Sequence, residues 1–223
     1  MSNKNKFNLS LLGESRVGKT SSLQNLSGGE FQDYMVPTLG VDYITTQAVV
    51  EGENYDFKIY DTVGQERYRS MAKRTIKISD GFILVFDVTK PNTFDLIKSW
   101  IDNIDDEVDK TTKILYLIGN KIDMKEDMDK LIIETAQKFV EENQLEVTIK
   151  TTEEAKKIVE ENEIKVIVTT EEAQKFAEEN NMKYFETSAK KNIGIKNTFD
   201  NIYKDLVYLK LEIEKKEKEE KKK

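Results

Sequence analysis

The apolar positions of this chain fall into two alternating rhythms. Phe7, Leu9 and Leu11 recur at every second residue, as on one face of a strand, and are followed by glycine-rich punctuation and a segment, Thr20 to Leu26, that can begin a helix. Val41 to Val50 and Tyr55 to Tyr60 read as two strands joined by a hairpin-like turn at Glu51-Gly52-Glu53-Asn54. Phe82 to Val88 and Ile114 to Ile118 are almost unbroken apolar runs, which suits strands buried on both faces of a parallel sheet. Between them, Thr93 to Glu107 carries Phe94, Ile97, Ile101 and Ile104 at three- and four-residue spacing, the mark of a helix with one apolar stripe. Period two giving way to period 3.6 and back predicts an α/β fold.

The second half repeats itself. Thr151 to Asn162, TTEEAKKIVEEN, returns eighteen residues later as Thr169 to Asn180, TTEEAQKFAEEN, with nine of twelve letters identical. A partial copy, AQKFVEEN, runs from Ala136 to Asn143. In each full copy a threonine stands three residues before a glutamate, the signature of a capping box, and two glutamates sit where the helix dipole is positive. Ala155, Ile158 and Val159 share a face, Asn162 is a stop, and Ile164 to Val168 is a short β-branched run. One repeat is therefore expected to be one helix followed by one strand. The tail from Glu212, EIEKKEKEEKKK, is expected to be a fraying helix end or disordered.

Composition narrows the chemistry. A chain of 223 residues with 38% hydrophobic letters is large enough for one core, so one domain, or a domain with an insert, is expected. No apolar run approaches the roughly 20 residues of a membrane span. The start, MSNKNKFNLSLL, lacks a signal-peptide core and suggests the cytosol. With no cysteine and no histidine, disulfides, thiolate metal sites and imidazole bases are excluded; chemistry must rest on carboxylate, amide, hydroxyl, lysine, arginine or a metal ion. Glu134 to Asn180 holds 13 Glu against 6 Lys and accounts for the whole net charge of −7, which argues against a nucleic-acid partner.

The most informative stretch is Gly13-Glu14-Ser15-Arg16-Val17-Gly18-Lys19-Thr20, which fits G-x-x-x-x-G-K-[ST] between a predicted strand and a predicted helix. Such a loop wraps phosphate: its N–H groups and the helix start face the anion, Lys19 adds charge, and Thr20 offers a hydroxyl to Mg²⁺. Further along stand Asp61-Thr62-Val63-Gly64-Gln65-Glu66, Asn120-Lys121-Ile122-Asp123 and Thr187-Ser188-Ala189-Lys190. With these four motifs in order, the chain resembles the Ras superfamily of small GTPases. Pro37 to Tyr43, Gln65 to Met71 and Asp87 to Phe94 resemble the Rab family within it.

The resemblance implies a P-loop NTPase small G domain over residues 1–210, with a mostly parallel six-stranded sheet, helices on both faces and residues 137–168 as inserted repeats, followed by a charged tail at 211–223. It implies a slow GTPase that switches between GTP and GDP with Mg²⁺ and regulates vesicle traffic. Ser15, Arg16, Val17, Gly18, Lys19, Thr20 and Ser21 would hold the phosphates. Asn120 and Asp123 would read the guanine edge, Lys121 and Phe31 would pack on the base, and Ser188, Ala189 and Lys190 would close the pocket beside it. Thr20 and Thr38 would ligate Mg²⁺ directly and Asp61 through water. The Gly64 amide would bond the γ-phosphate and Gln65 would orient the attacking water. Effector, exchange-factor and activating proteins would bind through Thr38 to Tyr43 and Gln65 to Met71, with the protein itself a monomer.

Three letters depart from the family pattern: Val63 replaces an alanine beside the γ-phosphate, Tyr60 a tryptophan, and Arg16 a smaller residue. The prenylated cysteines of Rab proteins are absent, so either the anchor lies outside this sequence or no C-terminal lipid ties the protein to endomembranes. An alternative reading is a nucleotide-bound scaffold with little turnover. Asp123 and Ser188 lie 65 positions apart; without the 37-residue offset between the first and third copies 28 remain, close to family spacing. The third copy should thus hold the family's own place, and the surplus either extends the sheet edge or forms a small lobe.

Overall fold

The computed structural model describes residues 5–29, 31, 42–62, 69–109 and 114–220. Six strands form one sheet: β1 (Lys6–Leu12), β2 (Asp42–Val50), β3 (Glu53–Asp61), β4 (Gly81–Asp87), β5 (Ile114–Asn120) and β6 (Lys183–Thr187), in the order β2-β3-β1-β4-β5-β6. Only the β2–β3 hairpin is antiparallel; every other pairing is parallel. Because successive side chains of a strand point to opposite faces, the unbroken apolar run of β4 divides: Ile83 and Val85 enter one core, Phe82, Leu84 and Phe86 the other.

The first core is closed by α1 (Lys19–Leu26) and by α8 (Ile195–Glu220), which contributes Phe199, Ile202 and Tyr203. On the second face lie α2 (Arg69–Ile78), α3 (Pro91–Asp95), α4 (Ile97–Asp105) and α7 (Thr170–Glu179), packed around Trp100 and Phe86. The helix expected over Thr93 to Glu107 begins earlier, at Pro91 in the first turn, where a missing N–H costs nothing, and it is divided at Leu96 into α3 and α4. Its apolar stripe stays continuous, with Phe94, Ile97, Ile101 and Ile104 all in the second core. Of the two alternatives for the C-terminal segment, the helical one is observed: α8 continues to Glu220, its outer turns carrying Glu212–Lys216 and Glu214–Lys218 at the helix-supporting i, i+4 spacing. Among the described residues no helix is long and apolar enough to cross a membrane.

The repeats form α5 (Met128–Glu142), α6 (Thr152–Glu161) and α7. Each ends identically. Asn143, Asn162 and Asn180 return their side-chain amides to the carbonyls of Phe139, Ile158 and Phe176, all at 2.8 Å. The next residue, Gln144, Glu163 or Asn181, takes a left-handed φ of 52–54°, and the one after sends its N–H back to Val140, Val159 or Ala177. This is the Schellman arrangement, in which glycine is the favoured left-handed residue. Glu163→Gly is therefore expected to raise stability by about 0.5–1 kcal/mol, read as slower amide exchange in α6.

The expected strand at Ile164 to Val168 is not part of the sheet. The edge beside β5 is taken by β6, and the run forms no strand, touching the sheet's end through one bond from Val168 N–H to Val88 O at 2.8 Å. Thus α7 is the crossover between β5 and β6. Its Ala173 and Ala177 are buried in the second core, and Phe176 meets Phe94 edge-on at 5.0 Å, an arrangement worth about 0.5–1.5 kcal/mol beyond burial. The surplus helices α5 and α6 pack on each other, burying Leu131, Ala136, Val140 and Ala155 in a cluster of their own, with Lys156 paired to Asp129. They make a lobe and do not extend the sheet.

One position separates the second copy from the third, which takes the crossover. Val168 is fully buried; eighteen residues earlier, in the same place relative to its helix, stands Lys150, which is exposed. Burying an unpaired ammonium at the Val168 site would cost several kcal/mol.

Candidate functional site

Parallel strands deliver their C-terminal ends to one edge of a sheet, and the crevice there is where α/β folds bind ligands. Four of the sequence motifs converge on that edge: the loop after β1, Asp61 at the end of β3, Asn120 at the end of β5, and Thr187 at the end of β6.

The loop after β1 is turned by left-handed residues at Gly13, Arg16 and Gly18, with φ of 135°, 66° and 102°. Val17 points inward and is fully buried. Gly18 caps α1 in a left-handed conformation and makes no side-chain cap bond. Lys19 is only 5% exposed and donates from Nζ to the carbonyls of Gly13 and Glu14, both at 2.8 Å. Burial brings its ammonium down to about 8, against the opposing pull of Asp61 and Glu14. Ser21 is buried, Ser15 half-buried, and Arg16 exposed. Glu14 is held from α4, where Trp100 Nε1 donates to its Oε1 at 3.1 Å.

Thr20 Oγ1 donates to Asp61 Oδ2 at 2.5 Å. A hydroxyl and a carboxylate oxygen thus face the same small space, a hard-oxygen pair that suits Mg²⁺, which takes one or two protein ligands and completes its shell with water and phosphate. Thr38, Val63, Gly64 and Gln65 lie outside the described residues, as do Thr38–Val41 and Gln65–Tyr68 of the two expected partner-binding stretches.

At the other end, Asn120 is 1% exposed and both polar atoms of its amide bond within the protein. Nδ2 donates to Val17 O at 2.8 Å, while Oδ1 accepts from Ala189 N at 3.0 Å and Thr187 Oγ1 at 3.1 Å. One side chain therefore ties the phosphate loop to the last motif. Asp123 is half-buried and its Oδ1 accepts from Ser188 Oγ at 2.5 Å; Ser188 Oγ in turn accepts from Lys191 N. Lys121, with φ of 70°, pairs its Nζ with Asp87 Oδ2 at 2.7 Å. Ala189 is buried and its carbonyl accepts from Asn25 of α1. Lys190 is exposed and Phe31 half-buried at the margin of the described chain.

One participant, Asp87, was given no role from the sequence. Asp87 anchors Lys121 and also accepts from the Thr89 N–H and hydroxyl; the short D-x-T spacing, typical of an aspartate folding back on its own turn, was its only signal. Thr187 and Val17 stand in motifs read from the sequence, but their bonds to Asn120 join places far apart in the chain and have no local signal.

The chain was compared with known proteins. The model of the Ras family matches residues 8–208. Ras-related protein RabC of Dictyostelium discoideum is 30% identical over 202 residues, covering 90% of this chain and 83% of that protein. Ras-related protein RABA2a of Arabidopsis thaliana is 37% identical over 139 residues, 62% of this chain and 63% of its own length. A Ras and EF-hand domain-containing protein homolog of Mus musculus is 38% identical over 120 residues, which is 54% of this chain but 19% of the mouse protein. With the family match running through both the phosphate loop and the Ser188 turn, the chain belongs to the Ras family and is a Rab-like small GTPase.

Proposed function

We propose that this protein is a guanine-nucleotide switch that hydrolyses GTP to GDP and phosphate and takes part in vesicle traffic, in the cytoplasm or at the periphery of endomembranes. The observation that carries the reading is the Asp123–Ser188 pair at 2.5 Å, with Asn120 joining that turn to the phosphate loop. Asp123 keeps a second carboxylate oxygen to accept from the ring N–H and exocyclic amine of guanine, groups that adenine does not offer in that arrangement. Lys19, released from the carbonyls of Gly13 and Glu14, turns its ammonium to the phosphates. Thr20, Thr38 and Asp61 are the residues to hold Mg²⁺, which when bound neutralises charge on the phosphate oxygens. Gln65 orients the water and the Gly64 amide senses the γ-phosphate. Thr38 to Tyr43 and Gln65 to Met71 present the nucleotide state to effectors and regulators.

A second reading, a nucleotide-bound scaffold that does not turn over, is favoured by one letter: Val63 puts two more methyl groups than alanine directly before Gly64 in the sequence. Two measurements separate the readings. Nucleotide released from the purified protein on denaturation is expected to be GDP or GTP; adenine nucleotide would overturn the guanine assignment. Single-turnover hydrolysis is expected at a slow intrinsic rate, on the order of 10⁻⁴ to 10⁻³ s⁻¹. Hydrolysis that appears only in Val63→Ala would favour the scaffold.

A further inference from the structure

Outside the nucleotide motifs, four side chains meet behind the base end of the site. Glu186 Oε1 accepts from Lys125 Nζ at 2.8 Å, from Thr170 Oγ1 at 2.7 Å and from Tyr184 Oη at 3.0 Å, and Lys125 also reaches Thr170 Oγ1 at 3.3 Å. Gly119 makes room for this cluster: a Cβ there would stand 2.6 Å from Tyr184 Oη. All four side chains are half-buried, where a charge-assisted bond is screened less than on the open surface. Burial alone would raise the Glu186 carboxyl, but the bonds from Lys125, Thr170 and Tyr184 outweigh it and hold it below its ordinary value.

The elements joined here give the cluster its meaning. Lys125 lies in the 3₁₀ turn Ile122–Asp127, two residues after Asp123 and three before α5 begins at Met128. Thr170 opens α7, and Glu186 stands two residues before Ser188, the partner of Asp123. The α5–α6 lobe packs on itself, so its first covalent tie to the nucleotide-binding core is this turn. Without a brace between Asp123 and Met128, motion of the lobe would pass directly to the carboxylate paired with Ser188.

We propose that Lys125 and Glu186 are positioning residues that hold the Asp123 turn in register with Ser188 against the α5–α6 lobe, and so set how fast guanine nucleotide leaves. The proposal rests on the guanine-nucleotide reading above. It is tested with the full chain loaded with fluorescent GDP. Lys125→Met and Glu186→Gln are each expected to speed release about 10-fold, and the two together no more than either alone. Lys125→Arg, which keeps the cation, is expected to stay within about twofold of the parent. Thr170→Val removes one of three donors and should give a smaller rise of about threefold, in a change mild enough to leave folding intact. Single-turnover hydrolysis of loaded GTP should be unchanged in all four, because the phosphate end is not touched.

Release rates equal to the parent in Lys125→Met, or hydrolysis falling in step with release, would overturn the positioning role while leaving the nucleotide reading in place. A parent protein that binds no guanine nucleotide would overturn both.

Discussion

Asn120→Ala is expected to lower the stability of the protein by about 3–5 kcal/mol, a large part of the 5–15 kcal/mol typical of a domain, and to weaken GDP binding at least 100-fold, on the order of 3 kcal/mol. The reason lies in what the truncated side chain leaves behind. Val17 O, the Ala189 N–H and the Thr187 hydroxyl all lose a partner in a place where Asn120 itself is 1% exposed. Each buried group deprived of its bond costs about 1–3 kcal/mol. Beyond stability, the phosphate loop and the Ala189 turn lose the side chain that fixes their separation, so both ends of a bound nucleotide are affected together. Denaturant unfolding and GDP titration of the same preparation measure the two effects. A stability change below about 1 kcal/mol would mean that Asn120 is not the tie its geometry indicates.

The second large effect is expected at the residue facing that amide. A Cβ on Gly18 would lie 2.1 Å from Asn120 Nδ2, and the residue holds φ of 102°, a conformation that side chains other than glycine rarely adopt. Gly18→Ala should cost about 3–5 kcal/mol and abolish measurable nucleotide binding, since Asn120 must leave its bonds to make room. The two causes separate in a double-mutant cycle. With Asn120 already alanine the clash is gone, and Gly18→Ala should then cost only the backbone strain, about 1–2 kcal/mol. Additive losses would place the whole effect in the backbone.

Much of the fold was legible because it is written locally. Phe82 to Val88 could only be satisfied between two covered faces, and both cores do divide its side chains. The Gly13 to Thr20 motif was recognisable between its strand and helix, and topology then required Asp61, Asn120 and Thr187 to meet it at the ends of their strands. What failed was competition for a single place. Ile164 to Val168 has the letters of a strand, but β5 has one open side and β6 occupies it. Nothing in a β-branched pentapeptide reports that a later segment will win.

The site was legible in membership more than in wiring. Asn120 was expected at the guanine edge; its bonds to Val17, Thr187 and Ala189, partners 67 to 103 residues away, were not part of that expectation. The same holds for Glu186, whose three donors come from a 3₁₀ turn, a helix start and its own strand. A motif records which residues are present. It does not record which of them serve one another.

The difference between Lys150 and Val168 bears on the order in which the chain is made. A ribosome delivers TTEEAKKIVEEN before TTEEAQKFAEEN exists, so for a time the earlier helix is the one available to cover Phe94 and the apolar ends of β4 and β5. Its approach brings Lys150, not a valine, to the pocket beside Val88, and a premature docking is penalised at the point of contact. That penalty is absent from the later copy, whose Val168 is buried and whose strand carries Thr187 and Ser188.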